Sequence, residues 1–225
     1  NPVLARTLTT LASDGGDAFY QGPLAQQILR RVNALKREPS KFKGWSEADL
    51  STYAVVRRDP LCNQQLQHQI CTMPPPSSGG VGLLQTLALL NQSTPIAAST
   101  PANPTVWKQL GKAQAWADAD RLYWVHDPLD GAVPTRALLK PAYIQQRAEA
   151  MQTAGSKAPD PGLPPGLTHY PFGRANPSNE EGTTQITIVD PSGNIVVYTS
   201  SVETIFGSRH LVAGMVMNNQ LTDFA

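Results

Sequence analysis

The chain has 225 residues, with 18 Lys and Arg against 17 Asp and Glu and a formal net charge of +1. That length can bury a substantial core, and so balanced a charge gives no electrostatic reason to expect a nucleic acid or another polyanion as partner. No apolar run approaches the roughly 20 residues of a membrane-spanning helix, and Asn1 opens neither a signal-like segment nor an initiator Met, so the polypeptide reads as a processed chain or a fragment.

Residues 3–12 place Leu4, Leu8 and Leu11 at helical spacing, and residues 22–35 repeat the pattern with Leu24, Ile28, Val32 and Leu35. Pro23 suits the first turn of the second helix, where a missing amide costs nothing. Ser46 and Asp49 form an approximate capping box for a short helix ending near Tyr53. Residues 54–72 alternate weakly, and Val55 with Val56 and Leu66 with Ile70 predict short strands around a polar turn. Cys62 and Cys71, the two cysteines, flank that segment; a disulfide and a reduced pair are equally open, and the bonded form would favour an exported enzyme. With His68 they are too few for a structural zinc site, which takes four ligands, so no metal is expected.

Pro74 to Gly80 is stiff at its start and permissive at its end, a shaped loop. A helix follows with Leu83, Leu84, Leu87 and Leu90 turned inward. After a connection over residues 93–104, Thr105 is the expected cap of a long helix bearing Leu110, Ala113, Trp116, Ala117, Asp120 and Trp124. Asp118, Asp120 and Arg121 there fit either pairing with nearby elements or a solvated face. A further helix starts at Pro141 and carries Tyr143, Ile144 and Arg147. Residues 155–182 turn to Pro, Gly, Ser, Asn and acidic residues, which reads as a linker or exposed loop, long for a compact domain. Then Ile186, Ile188 and Val189, the run Asp190-Pro191-Ser192-Gly193-Asn194, and residues 195–199 make the clearest hairpin in the chain. Thr183 stands where linker becomes strand. On those residues alone it reads as an ordinary strand-start threonine.

Motifs distributed along the chain give it a different weight. They are Asp17-Ala18-Phe19-Tyr20 with Gly22, Leu50-Ser51-Thr52-Tyr53, Met73-Pro74-Pro75-Pro76-Ser77-Ser78-Gly79-Gly80 and Ala117-Asp118-Ala119-Asp120-Arg121. They continue with Thr183-Thr184, Val189-Asp190, Gly193-Asn194, Phe206-Gly207-Ser208, Asn218-Asn219-Gln220 and Asp223-Phe224. In this order they resemble the gamma-glutamyltransferase family of the N-terminal-nucleophile hydrolase superfamily. The resemblance implies an α+β fold, a four-layer αββα sandwich in the complete protein. It divides the chain into a large-subunit-like helical region (1–154), a processing linker (155–182) and the start of a small-subunit-like β region (183–225).

By the same resemblance a precursor cleaves itself between Gly182 and Thr183, and the two subunits come from one polypeptide. The new α-amine, with a reference pKa near 8, takes the proton of the weakly nucleophilic Thr183 hydroxyl. That hydroxyl attacks the gamma-glutamyl amide of a donor such as glutathione, and water, an amino acid or a peptide resolves the ester. Ser201 stands where the family often has a second threonine bonded to the nucleophile; a strand-end hydroxyl satisfying the backbone is the plainer alternative. Glu203 falls where relatives carry Asn or Glu near the substrate's α-amino or α-carboxyl end, against plain exposure near a turn. Asp223 matches the acidic residue that binds the α-amino group.

Gln185 departs from the His common after the two threonines. The family's earlier arginine region and later serine and paired-glycine region do not appear in these residues. The resemblance implies no cofactor and a periplasmic or extracellular location. Two other readings stay open: a cephalosporin or glutaryl-amide acylase using the same threonine, and an inactive fragment or non-catalytic structural or binding homologue.

Overall fold

The computed structural model describes residues 1–34, 44–65, 67–93, 103–155, 157–168 and 182–220. In chain order the elements are α1 Pro2–Asp14, α2 Asp17–Tyr20, α3 Gly22–Ala34, α4 Glu47–Ser51, β1 Leu61–Gln65, β2 His68–Thr72 and α5 Gly79–Ser93. There follow α6 Pro104–Trp124, α7 Thr135–Leu138, α8 Pro141–Thr153, β3 Thr184–Val189, β4 Ile195–Ser200, β5 Leu211–Val212 and β6 Met215–Val216. The fold is α+β, its described strands paired as three antiparallel hairpins. Contacts group the chain into two units, residues 1–56 with 178–225, and residues 57–177.

The first unit is built on α3. Leu24, Ala25, Ile28 and Leu29 are buried with Leu50 of α4 and Val212 of β5, and Leu11, Phe19, Met215 and Met217 close over them. Removing an aliphatic side chain of this kind from water is worth about 1.5–3 kcal/mol, which is why the heptad-like spacing of α3 specifies a helix here. The Asp49 carboxylate accepts from both the N–H and the hydroxyl of Ser46, so the capping residue reads correctly from sequence. These bonds hold the Asp49 carboxyl below its ordinary value. Two expectations change: Leu8 is exposed, the buried residue of α1 being Thr7, and Leu35 lies outside the described residues. Thr7 donates to the Ala213 carbonyl and Asn1 to that of Gly214, tying α1 to the β5–β6 turn. Ala213 and Gly214 both have positive φ, 51° and 81°, the left-handed pair that a two-residue hairpin needs. A side chain at Gly214 would meet the backbone of Leu4.

The second unit packs α5, α6 and α8. Ala88, Leu89, Leu90, Ala113, Trp116, Ala117, Ile144, Ala148 and Met151 form one cluster, and Val81, Trp124, Leu138 and Tyr143 another. Leu83, expected inside, is 47% exposed, because the buried stripe of α5 runs through Val81, Leu84, Gln85 and Ala88. The cap of α6 is Asn103, whose side chain accepts from Thr105 N–H; Pro104 fixes the first turn, so the cap falls two residues before the expected threonine. Val55 and Val56 are 81% and 62% exposed and form no strand, while β1 and β2 pair Cys62 opposite Cys71 in a disulfide. Closing so short a loop is worth about 2–3 kcal/mol through the denatured chain.

Asp120 is the polar centre of this unit. Its Oδ1 accepts from Arg147 Nη2 at 2.9 Å and Gly162 N–H at 2.7 Å; its Oδ2 accepts from Tyr143 Oη at 2.8 Å and Gln85 Nε2 at 3.0 Å. Burial pushes the Asp120 carboxyl above its ordinary value, opposed by Arg147 and by these hydrogen bonds. All four partners donate to the carboxylate, so they offset part, but not all, of the cost of burying its charge. The Asp120–Arg147 pair is a buried structural network, not a solvated face. Trp124 Nε1 donates to the Gly162 carbonyl, Arg147 donates to the Asp160 carbonyl, and Pro164 is fully buried. The stretch around residues 160–164, expected as an exposed loop, is therefore held on α6 and α8 by backbone groups that its composition does not advertise.

Candidate active site

The β3–β4 hairpin sets the geometry around Thr183. Its register pairs Thr184 with Ser200 and Val189 with Ile195. Its turn is closed by Asp190, whose carboxylate accepts from the N–H and the side-chain amide of Asn194 at 2.8 and 2.7 Å. These bonds hold the Asp190 carboxyl below its ordinary value. Gly193, at φ 82°, supplies the left-handed residue of the turn. With the register fixed, the residue before β3 and the residue after β4, Thr183 and Ser201, come together.

Thr183 Oγ1 donates to Ser201 Oγ at 3.2 Å, Ser201 Oγ donates to the Gly182 carbonyl at 3.0 Å, and Glu203 N–H donates to Ser201 Oγ at 2.9 Å. The directions follow from chemistry. A carbonyl can only accept and an N–H can only donate, so the Ser201 proton points at Gly182 and its lone pairs receive Thr183 and Glu203. The Ser201 hydroxyl thus polarises the carbonyl of the Gly182–Thr183 peptide bond while holding the Thr183 oxygen beside it.

Glu203 is 6% exposed with φ 72°, in the left-handed region that a side-chain-bearing residue seldom occupies. Its Oε2 accepts from Asn219 Nδ2 at 2.5 Å. The plain-exposure reading of Glu203 is thereby corrected, since the turn folds its side chain inward onto Asn219. Phe206 and Arg209 are also left-handed, at 64° and 60°. Gly207, between them, could carry no side chain without meeting the carbonyls of Met217 and Val202. Gln185 is exposed on the strand. Asp223 lies outside the described residues.

Among the described residues no group of three or more His, Cys, Asp and Glu could hold a metal ion. A cleft of about 640 Å³ in the first unit is lined by α1–α3 residues including Arg6, Asp14 and Asp17, and its lining includes neither Thr183, Ser201 nor Glu203. Sequence reasoning assigned no role to Asn219 and did not place Gly182's carbonyl on Ser201. The signal for the first was the Asn218-Asn219-Gln220 run, noted above without a function.

The family model described as gamma-glutamyltranspeptidase matches residues 1–225. The glutathione hydrolase proenzyme of Bacillus subtilis (strain 168) is 33% identical over 230 residues, covering 98% of this chain and 38% of the relative. The acylase ACY 1 proenzyme of Pseudomonas sp. (strain SE83) is 28% identical, covering 98% of this chain and 36% of that protein. Among solved structures, the cephalosporin acylase from Bacillus halodurans superposes with a TM-score of 0.79 at 23% identity, over 99% of this chain and 37% of that one, a likeness of fold. The chain thus spans under two-fifths of the length of these relatives.

Proposed function

The chain belongs to the gamma-glutamyltranspeptidase family, and on that premise we propose that the protein carrying it is a self-processing gamma-glutamyl transferase or hydrolase with Thr183 as nucleophile. The observation that carries this reading is the chain of hydroxyls from Thr183 through Ser201 to the Gly182 carbonyl. In the processing step Thr183 Oγ1 bonds to the Gly182 carbonyl carbon. Ser201 keeps its proton and donates a hydrogen bond to the developing oxyanion, the C–N bond breaks, and the proton lost from Thr183 Oγ1 ends on the Thr183 nitrogen. Water then hydrolyses the ester, leaving a Gly182 carboxylate and a free Thr183 amine. That amine serves as base for the second use of the same hydroxyl, attack on the gamma-glutamyl amide of a glutathione-like donor. Water, an amino acid or a peptide amine resolves the acyl-enzyme.

Glu203, held inward by Asn219, offers a carboxylate for the donor's ammonium. Among the described residues its Oε1 takes no hydrogen bond. Asp223 joins it in this reading. In this reading the same cleavage ends the large-subunit residues 1–154 and the linker 155–182 at Gly182 and begins the small-subunit residues at Thr183. The αββα sandwich belongs to the whole protein, with β3 and β4 as inner strands; exposure of every residue of both strands in this chain supports that placement. The Cys62–Cys71 disulfide supports an oxidising, periplasmic or extracellular location.

The test uses the full-length protein. Thr183→Ala should abolish both cleavage after Gly182 and acyl-enzyme formation with a gamma-glutamyl anilide, at unchanged folding. A Thr183→Ala protein that still forms the acyl-enzyme would remove Thr183 from the chemistry. The acylase reading, supported by the likeness to acylase ACY 1, predicts turnover of a glutaryl amide, which lacks the α-amine, in preference to the gamma-glutamyl one.

A further inference from the structure

Asn219 makes a four-bond clamp on three consecutive residues. Its N–H donates to the Val202 carbonyl at 3.3 Å, and its Nδ2 donates to Glu203 Oε2 at 2.5 Å. Its Oδ1 accepts from both the N–H and the hydroxyl of Thr204, at 3.2 and 3.0 Å. The middle residue of the three is the left-handed, buried Glu203. A residue with a side chain is strained in that region, so the conformation persists where neighbouring bonds over-determine it. The clamp does so from both sides. The surrounding loop is fixed the same way: Thr204 Oγ1 donates to the Gly207 carbonyl at 2.9 Å, and the N–H and hydroxyl of Ser208 both donate to the Met217 carbonyl.

We propose that Asn219 is a positioning residue for this site, holding the Glu203 carboxylate in place and, through the Glu203 N–H, setting the Ser201 hydroxyl against Thr183 and Gly182. The inference rests on the reading of Thr183 as nucleophile given above. Its chemistry is specific to an amide. Asn219 must donate on one side, to a carboxylate, and accept on the other, from an N–H and a hydroxyl, which Asp or Leu of similar volume cannot do together. Losing the donor would set two carboxylate oxygens against each other inside the loop, and Glu203 would turn away. Its N–H, which donates to Ser201 Oγ, would turn with it.

The test measures the rate of cleavage after Gly182 in freshly made full-length protein. Asn219→Asp should slow cleavage at least about tenfold, a displacement of the reacting groups being costly even when small. The double variant Glu203→Gln with Asn219→Asp restores a donor and an acceptor with their places exchanged, and should cleave within about threefold of Glu203→Gln alone. That recovery is the readout which a generally weakened loop would not give. If Asn219→Asp does not fold, the double variant is read against Glu203→Gln by itself. Asn219→Asp cleaving at the wild-type rate, or a folded double variant staying as slow as Asn219→Asp, would overturn the proposal. Failure of the wild-type protein to cleave at all would instead remove the nucleophile reading on which it rests.

Discussion

The Asp120 network in the second unit and the β3–β4 hairpin in the first treat polar and apolar groups in opposite ways. Asp120 is 1% exposed and gives every acceptor position of its carboxylate to a donor, inside helices whose apolar faces are covered. The hairpin leaves Ile186, Ile188, Val196 and Tyr198 on one face with at least half their surface in solvent, yet lines up Thr183 and Ser201 at its open end. An isolated hairpin is marginally stable. The contrast teaches that order at Thr183 and Ser201 comes from local hydrogen bonds and register rather than from burial, and that the described residues satisfy the helical unit's needs but not the hairpin's.

The sharpest way to break that comparison is Asp120→Ala. It leaves Arg147 charged and buried and strips partners from Tyr143, Gln85 and Gly162, so it should destabilise the second unit by about 3–5 kcal/mol. Denaturant unfolding measures it. A loss below about 1 kcal/mol would mean that the network behaves like a surface ion pair.

Ile188→Thr sharpens the other side. The side chain is 57% exposed, so in the 225-residue chain the change should stay within about 0.5 kcal/mol. In the full-length protein the proposed sandwich covers it, and the same substitution should cost about 1.5–3 kcal/mol. Equal small effects in both would argue against β3 as an inner strand.

The smallest effect is on pH. Burial raises Asp120, so its contribution to stability is greatest below the ordinary carboxyl value of 3.8 and falls as pH rises through its folded value. Asn194 lowers Asp190, so its contribution is present above 3.8 and is lost as pH falls through its lower folded value. Hydrogen exchange at the Asn194 amide should therefore quicken on acidification below that range in wild type, and Asp190→Asn should remove the dependence.

Much of the helical framework was legible because its apolar periodicity is what folding rewards. The α3 stripe, the Ser46–Asp49 cap, the start of α8 at Pro141 and the β3–β4 hairpin follow from residues close in sequence. The misses are long-range. Nothing near Gly162 predicts that its backbone meets Asp120 and Trp124, residues about forty positions earlier. The β5–β6 turn hides because Ala213 takes a left-handed conformation usually left to Asn or Gly, stabilised there by the bonds from α1. At the candidate site, family motifs led to Thr183, Ser201 and Glu203, but Asn219's clamp depends on side-chain directions that no motif states.

The central claim is tested most directly by intact mass spectrometry of the full-length protein as it matures. The account predicts that one polypeptide becomes two, the second beginning at Thr183, with their summed mass exceeding the precursor by one water. It also predicts that Ser201→Ala slows this conversion while Ser201→Thr preserves it. A polypeptide that stays intact through purification, or that splits at a bond other than Gly182–Thr183, would contradict it.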